Sequence, residues 1–307
     1  MTWLLYAFLS AALLGLYDVC KKHALRNNAV IPVLLLNTVF CSLIFLPMVL
    51  LSAQGAIGEG SLFYIPQADW HVQRYVLLKS CIVLSSWICA YCGIKHLPLT
   101  LAGPINATRP VMVLVGALFI FGERLNAMQW MGVALAVLSF YMLSRSGKKE
   151  GIDFKHNRWV VLIVLGSMLG ACSALYDKFL MASPDHGGLG LNRMVVQSYF
   201  NFYQAAMMLV MLMLLWWPKR KRSTPFHWDW AIVFISIFLS VADFVYFYAL
   251  SLDGAMVSVV SLARRSSVVV SFFVGAYVFR ERNLKSKALD LLLVLLGMLF
   301  LYLGAAS

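Results

Sequence analysis

Three arginines lie where an apolar chain can least tolerate them. Arg109 falls near the middle of "TLAGPINATRPVMVLVGALFIF", and Arg264 and Arg265 near the middle of the run containing "SLARRSSVVV". A guanidinium at the centre of a bilayer costs roughly 2.5–3.5 kcal/mol on insertion scales, so these side chains must face protein or water. The chemistry they offer is anion recognition, because the planar fork donates two parallel hydrogen bonds to a carboxylate or phosphate. Consecutive helical residues point about 100° apart, so one of Arg264 and Arg265 is expected to face a cavity and the other a neighbouring helix. The deep acids able to neutralise the three are Asp243 and Asp290. That leaves a surplus positive charge for an anionic substrate group to complete. The alternative is a closed set of buried salt bridges that hold helices in register.

Polar and aromatic residues in the same runs are the other candidates for lining a substrate site: Asn37, Trp87, Tyr91, Asn106, Asn201, Tyr203 and Tyr246, with Gln197 nearby. Trp87 and Tyr91, four apart, share a helix face. Pro104 and Pro110, with Gly103, are expected to loosen their helix and expose carbonyls beside a cavity. Two further acids, Asp18 and Asp177, sit in Leu-Tyr-Asp triplets, "GLYDVCKK" and "SALYDKFL", 159 residues apart. Asp18 is in helical reach of Lys21 and Lys22. Both acids read first as anchors of span ends and second as candidates for proton or cation coupling. Lys79, near a span start, reads as snorkelling, and Glu123 and Glu281, each beside an arginine, as ion pairs that fix turns.

Enzymatic constellations are missing from the pattern. No HExxH, GxSxG or Walker A sequence occurs, and all six histidines fall in loops or at span edges. The CxxC of Cys89 and Cys92 has no second ligand pair beside it. No catalysis, metal or cofactor is therefore expected, and an intramembrane enzyme is the weakest reading.

The elements that must position these residues are membrane helices. The chain is 62% hydrophobic and 12% charged, with a mean hydropathy of +0.81, against about 25% charged in soluble domains. Ten apolar runs of bilayer-spanning length are expected, at about 2–20, 30–52, 75–96, 99–121, 125–144, 158–180, 193–217, 229–250, 254–279 and 284–304. The first, with no basic residue before it, reads as a retained helix rather than a cleaved signal. The basic stretch "SRSGKKEGIDFKHNR" divides the chain into halves, residues 1–147 and 153–307. An odd number of spans per half inverts the second, so the expected fold is an all-α membrane protein of ten transmembrane helices in two inverted five-helix repeats. Of 25 Lys and Arg, seventeen fall at connections 1–2, 3–4, 5–6, 7–8 and 9–10 and four at the others. The positive-inside rule makes the basic side cytoplasmic and both termini external. The +12 net charge is thus a topology signal, and no nucleic-acid partner is expected.

"YCGIKHLPLTLAGPI" running into "RPVMVLVGALFIFGERL", then "QWMGVALAVLSFYML", and "SALYDKF" in the second half carry a resemblance to the drug/metabolite transporter superfamily, EamA type. Two departures stand out: Arg280-Glu281-Arg282 replaces the usual Gly-Glu-Arg, and the Arg264–Arg265 pair occupies a normally small, apolar stretch. The resemblance implies a secondary transporter or exporter of a small polar metabolite, with a multi-pass location in a bacterial inner (plasma) membrane. Together with the arginines it points to an anionic or zwitterionic substrate bearing a carboxylate or phosphate. A flippase for a lipid-linked anionic headgroup is the neighbouring alternative.

Overall fold

The computed structural model describes residues 2–121, 125–148, 151–152, 154, 156–181, 184, 188–251, 263–281 and 283–306. Among them are only helices and connections, as a bilayer demands: with no water to satisfy backbone groups, a span must close its own hydrogen bonds. The helices are α1 (Thr2–Ala24), α2 (Val30–Ala53), α3 (Trp70–His96), α4 (Leu99–Ala107), α5 (Arg109–Phe121), α6 (Ala127–Lys148), α7 (Arg158–Met181), α8 (Arg193–Met211, continued by a π turn at Leu212–Trp216), α9 (Ala231–Ser251), α10 (Ser267–Phe279) and α11 (Leu284–Ala306). Seven of the described helices are individually long and apolar enough to cross a membrane. α4 with α5 supplies a further crossing in two pieces, and α10 continues the described turn at residues 263–265.

Packing follows the repeat. α1 lies along α9 as α7 lies along α3, α1 meets α10 as α7 meets α5, and α2 touches α9 as α8 touches α3. α2 pairs with its own counterpart α8, and α6 with α11. Exchanging the halves interchanges the members of the first three comparisons and maps the last two contacts onto themselves, as an inverted repeat requires. At the α6–α11 crossing the backbones nearly touch: a Cβ on Gly132 would fall 2.8 Å from the carbonyl oxygen of Gly297.

Two interruptions are equivalent. α4 gives way to α5 at Thr108, whose hydroxyl donates to the Ile105 carbonyl at 2.7 Å. Pro110 has no N–H for the helix ladder there. In the second half the break is at Ser266, whose hydroxyl donates to the Ala263 carbonyl at 2.6 Å. α5 and α10 begin at Arg109 and Ser267 and end at Phe121 and Phe279, an offset of 158 residues at both ends. Arg109 therefore corresponds to Ser267, and Arg264–Arg265 to Asn106–Ala107.

Several side-chain roles differ from expectation. α3 begins at Trp70 rather than 75, because Asp69 caps it by accepting from the Val72 N–H at 3.0 Å. Lys79 does not snorkel: it is 8% exposed and ion-pairs with Asp177 across the α3–α7 contact. Lys22 turns away from Asp18 and donates to the carbonyls of Ile94 and Leu97, each at 2.6 Å, where a cation suits the C-terminal end of α3. Glu281 accepts from the backbone N–H groups of Leu99 (2.6 Å) and Thr100 (3.0 Å), so it caps α4 instead of serving only a local turn. Glu123 lies outside the described residues.

Candidate functional site

Two chambers lie end to end inside the bundle. One, of about 360 Å³, opens toward the basic ends of α1 and α3 and contains Asp18, Lys21, Tyr91, Asn106, Tyr246 and Arg264 on its wall. The other, of about 310 Å³, lies toward the opposite ends and is walled by Lys79, Ser173, Asp177, Gln197, Phe200 and Asp243, among others. Trp87, Arg109 and Arg265 line both. The two helix breaks explain this placement: Arg109 follows the Thr108 break and Arg265 precedes the Ser266 break, so both arginines project where the backbone is already interrupted.

Each chamber holds one acid–base pair. In the basic-end chamber Asp18 accepts from Lys21 at 2.6 Å, within α1, and the Lys21 ammonium also sits 4.2 Å from the Tyr17 ring centroid. In the far-end chamber Asp177 of α7 pairs with Lys79 of α3, a contact between helices. A third pair joins Arg264 to Asp243 of α9, with the guanidinium carbon 4.3 Å from the Tyr246 ring centroid. Arg264 reaches a neighbouring helix and also shares the chamber wall with Arg265.

Arg109 and Arg265 are different. Among the described residues neither has a carboxylate within salt-bridge distance. Arg109 lies against α7 with its guanidinium over Gly170, where a Cβ would fall 2.5 Å from Arg109 Cζ. Its Nε is buried without a hydrogen-bond partner. Arg265 receives the positive fields of both Arg109 and Arg264. Asp290, the other deep acid, is not at hand: it is fully buried where α6 meets α11, and its backbone carbonyl accepts from Ser139 at 2.8 Å. Among the described residues these three ion pairs are closed, and the Arg109 and Arg265 guanidiniums remain without a carboxylate at the junction.

The other candidates separate into two groups. Trp87, Tyr91, Asn106 and Tyr246 line the chambers, and the Asn106 side-chain oxygen accepts from Ser167 at 2.8 Å. Asn37, Asn201 and Tyr203 line neither chamber. Asn37 is fully buried and accepts from Ser236 at 3.0 Å, Asn201 donates to the Gln197 carbonyl at 2.9 Å, and the Tyr203 hydroxyl donates to Gln73 at 3.0 Å. Sequence reading missed Lys21 and Lys79 as wall residues, and Gly170 as the platform for Arg109. The available signal for Lys79 was a lone cation two and a half turns into a span, with an acid at the equivalent depth of another.

Among the described residues no group of three or more His, Cys, Asp or Glu could hold a metal. Residues 1–145 and 157–303 each match the model of the EamA-like transporter family. The chain is 30% identical over 131 residues to an uncharacterized transporter of Pseudomonas aeruginosa, an alignment covering 41% of this chain and 42% of that relative. A solved structure described only as the crystal structure of a protein superposes with a TM-score of 0.58 at 17% identity, covering 96% of this chain and 94% of the other. That likeness shows a shared fold.

Proposed function

Given that the chain belongs to the EamA-like transporter family, a family of multi-pass membrane proteins, we propose that it moves a small polar metabolite bearing a carboxylate or phosphate. The substrate would bind at the junction of the two chambers and be exposed to each side in turn as the halves rock against each other. One observation carries the anionic character: among the described residues, Arg109 and Arg265 have no carboxylate within salt-bridge distance where the chambers meet. An anion there would supply the missing charge, and the fork geometry of two guanidiniums favours a carboxylate or phosphate over a halide. Trp87 and Tyr91 would cover the apolar part of the substrate, and Asn106, whose oxygen is held by Ser167, would donate its amide N–H to it.

Asp18 and Asp177 are the proposed coupling acids. Each lines one chamber and each holds a lysine, so protonating one would free its lysine and loosen one end of the path. A bacterial inner membrane, with the basic side cytoplasmic, is the proposed location. The test is counterflow in proteoliposomes preloaded with anionic, zwitterionic or cationic metabolites. Exchange confined to compounds with a carboxylate or phosphate, and lost in Arg265→Gln, supports the reading. Exchange of cations or neutral compounds alone overturns it.

A further inference from the structure

A third cavity, of about 440 Å³, lies beside the far-end chamber between α2, α8 and α9. Its walls are apolar: Ile44, Phe45 and Met48 from α2 face Ile237, Val241 and Phe244 from α9. Leu62 and Phe63 of the α2–α3 connection roof it, with the Phe63 ring stacked on Phe244 at a centroid distance of 5.1 Å. Ile237, Val241 and Phe244 are 40%, 42% and 39% exposed. On a membrane-spanning helix that exposure faces lipid, so the slot is open to acyl chains along one side.

The slot is not an isolated groove. Arg193 and Gln197, one turn apart at the start of α8, line both it and the far-end chamber. Asp243, on the chamber wall, immediately precedes Phe244 on the slot wall. An apolar space open to the bilayer therefore meets a cationic space through a polar doorway. A small polar solute has no use for the first, and a simple hydrocarbon none for the second. Both suit a molecule with an anionic head and an apolar chain.

We propose that the substrate is an amphiphilic anion that enters from the bilayer, its head at Arg193, Arg109 and Arg265 and its chain in the α2–α9 slot. This rests on the anion reading of the junction, keeps its carboxylate or phosphate head, and replaces a wholly polar cargo with an amphiphilic one. A volume of 440 Å³ falls in the range of small-molecule sites, about 300–1,000 Å³. Each methylene fully buried there would strengthen binding about fourfold.

The test is titration of the purified protein with methyl, butyl and hexyl phosphate, and with hexyl glucoside as a neutral amphiphile. Affinity should rise at least tenfold from methyl to hexyl phosphate. Val241→Trp, which fills the slot from its lipid-facing side, should erase that rise while leaving methyl phosphate binding intact, and Ile237→Trp should do the same. Equal affinity for methyl and hexyl phosphate would overturn the slot and leave the anion reading standing. Hexyl glucoside binding as tightly as hexyl phosphate, with the same loss in Val241→Trp, would also overturn it, marking the slot as an ordinary lipid contact. Failure of all three phosphates, and of acetate and hexanoate titrated beside them, would remove the anion reading and this proposal together.

Discussion

The two broken helices occupy equivalent places and carry unequal charge. The break between α4 and α5 presents one arginine, Arg109, laid over Gly170 with no acid partner among the described residues. The break before α10 presents two, and one of these, Arg264, is neutralised by Asp243. The repeat supplies the same interruption twice, but the arginines lie on opposite sides of it: Arg109 after Thr108, Arg265 before Ser266. Because the halves are inverted, the two positions converge on one junction. Symmetry of the backbone with asymmetry of charge thus yields one cationic site shared by two chambers.

Removing one of the unpaired arginines should have the largest effect. A charge-assisted hydrogen bond contributes about 1.5–3 kcal/mol, so Arg265→Gln should weaken anion binding by about 10–150-fold in a direct titration. Stability should hold or rise, since a half-buried charge with no carboxylate partner among the described residues is lost. Gly170→Ala acts on the same side of the comparison through shape. Its methyl would meet Arg109 Cζ at 2.5 Å and displace the guanidinium, lowering anion affinity about tenfold by the loss of one well-aligned bond. Helix propensity favours alanine by about 1 kcal/mol, so thermal stability should not fall in step with affinity. That separation distinguishes a displaced ligand from a damaged fold.

Asp243→Asn sharpens the comparison in the opposite sense. Freeing Arg264 makes three open guanidiniums, and anion affinity should increase several-fold while the midpoint of thermal unfolding falls. Lys79→Ala probes the far-end pair. It leaves the Asp177 carboxylate without its cation between α3 and α7, a loss of about 2–3 kcal/mol when discounted for chamber solvent. Asp18→Asn should cost less, about 1 kcal/mol, because Lys21 keeps the Tyr17 ring at 4.2 Å. Smallest of all is Asn37→Leu. It removes the acceptor for Ser236, costing about 1 kcal/mol of stability, and anion affinity should stay within about twofold.

Much of this arrangement was legible in the sequence, for physical reasons. A bilayer needs about twenty apolar residues per span, so the hydropathy pattern marks the helices. Residues such as Asp69 move their ends, because a cap in a polar connection extends α3 beyond its apolar part. The deep arginines were visible because an unexplained charge stands out in hydrocarbon. Their pairing was not, since Arg264 could meet Asp243 or Asp290 and only the packing of α9 against its neighbours decides. Lys79 and Asp177, 98 residues apart, are a pair that no local spacing reveals. Asn37 drew notice as a polar residue in an apolar helix, the same signal that Asn106 gives. Three-dimensional packing turns one toward Ser236 and the other toward a chamber. Sequence spacing alone does not set the register between the halves; the equivalent breaks at Thr108 and Ser266 set it at an offset of 158 residues.

The central claim is that Arg109 and Arg265 together form the anion site. Its most direct test is calorimetric titration of the wild-type protein, Arg109→Gln, Arg265→Gln and the double variant with the anionic ligand that binds best in a small carboxylate and phosphate panel. The account predicts at least a tenfold loss in each single variant, no detectable binding in the double variant and unfolding midpoints no lower than wild type. Undiminished anion binding by the double variant would contradict it.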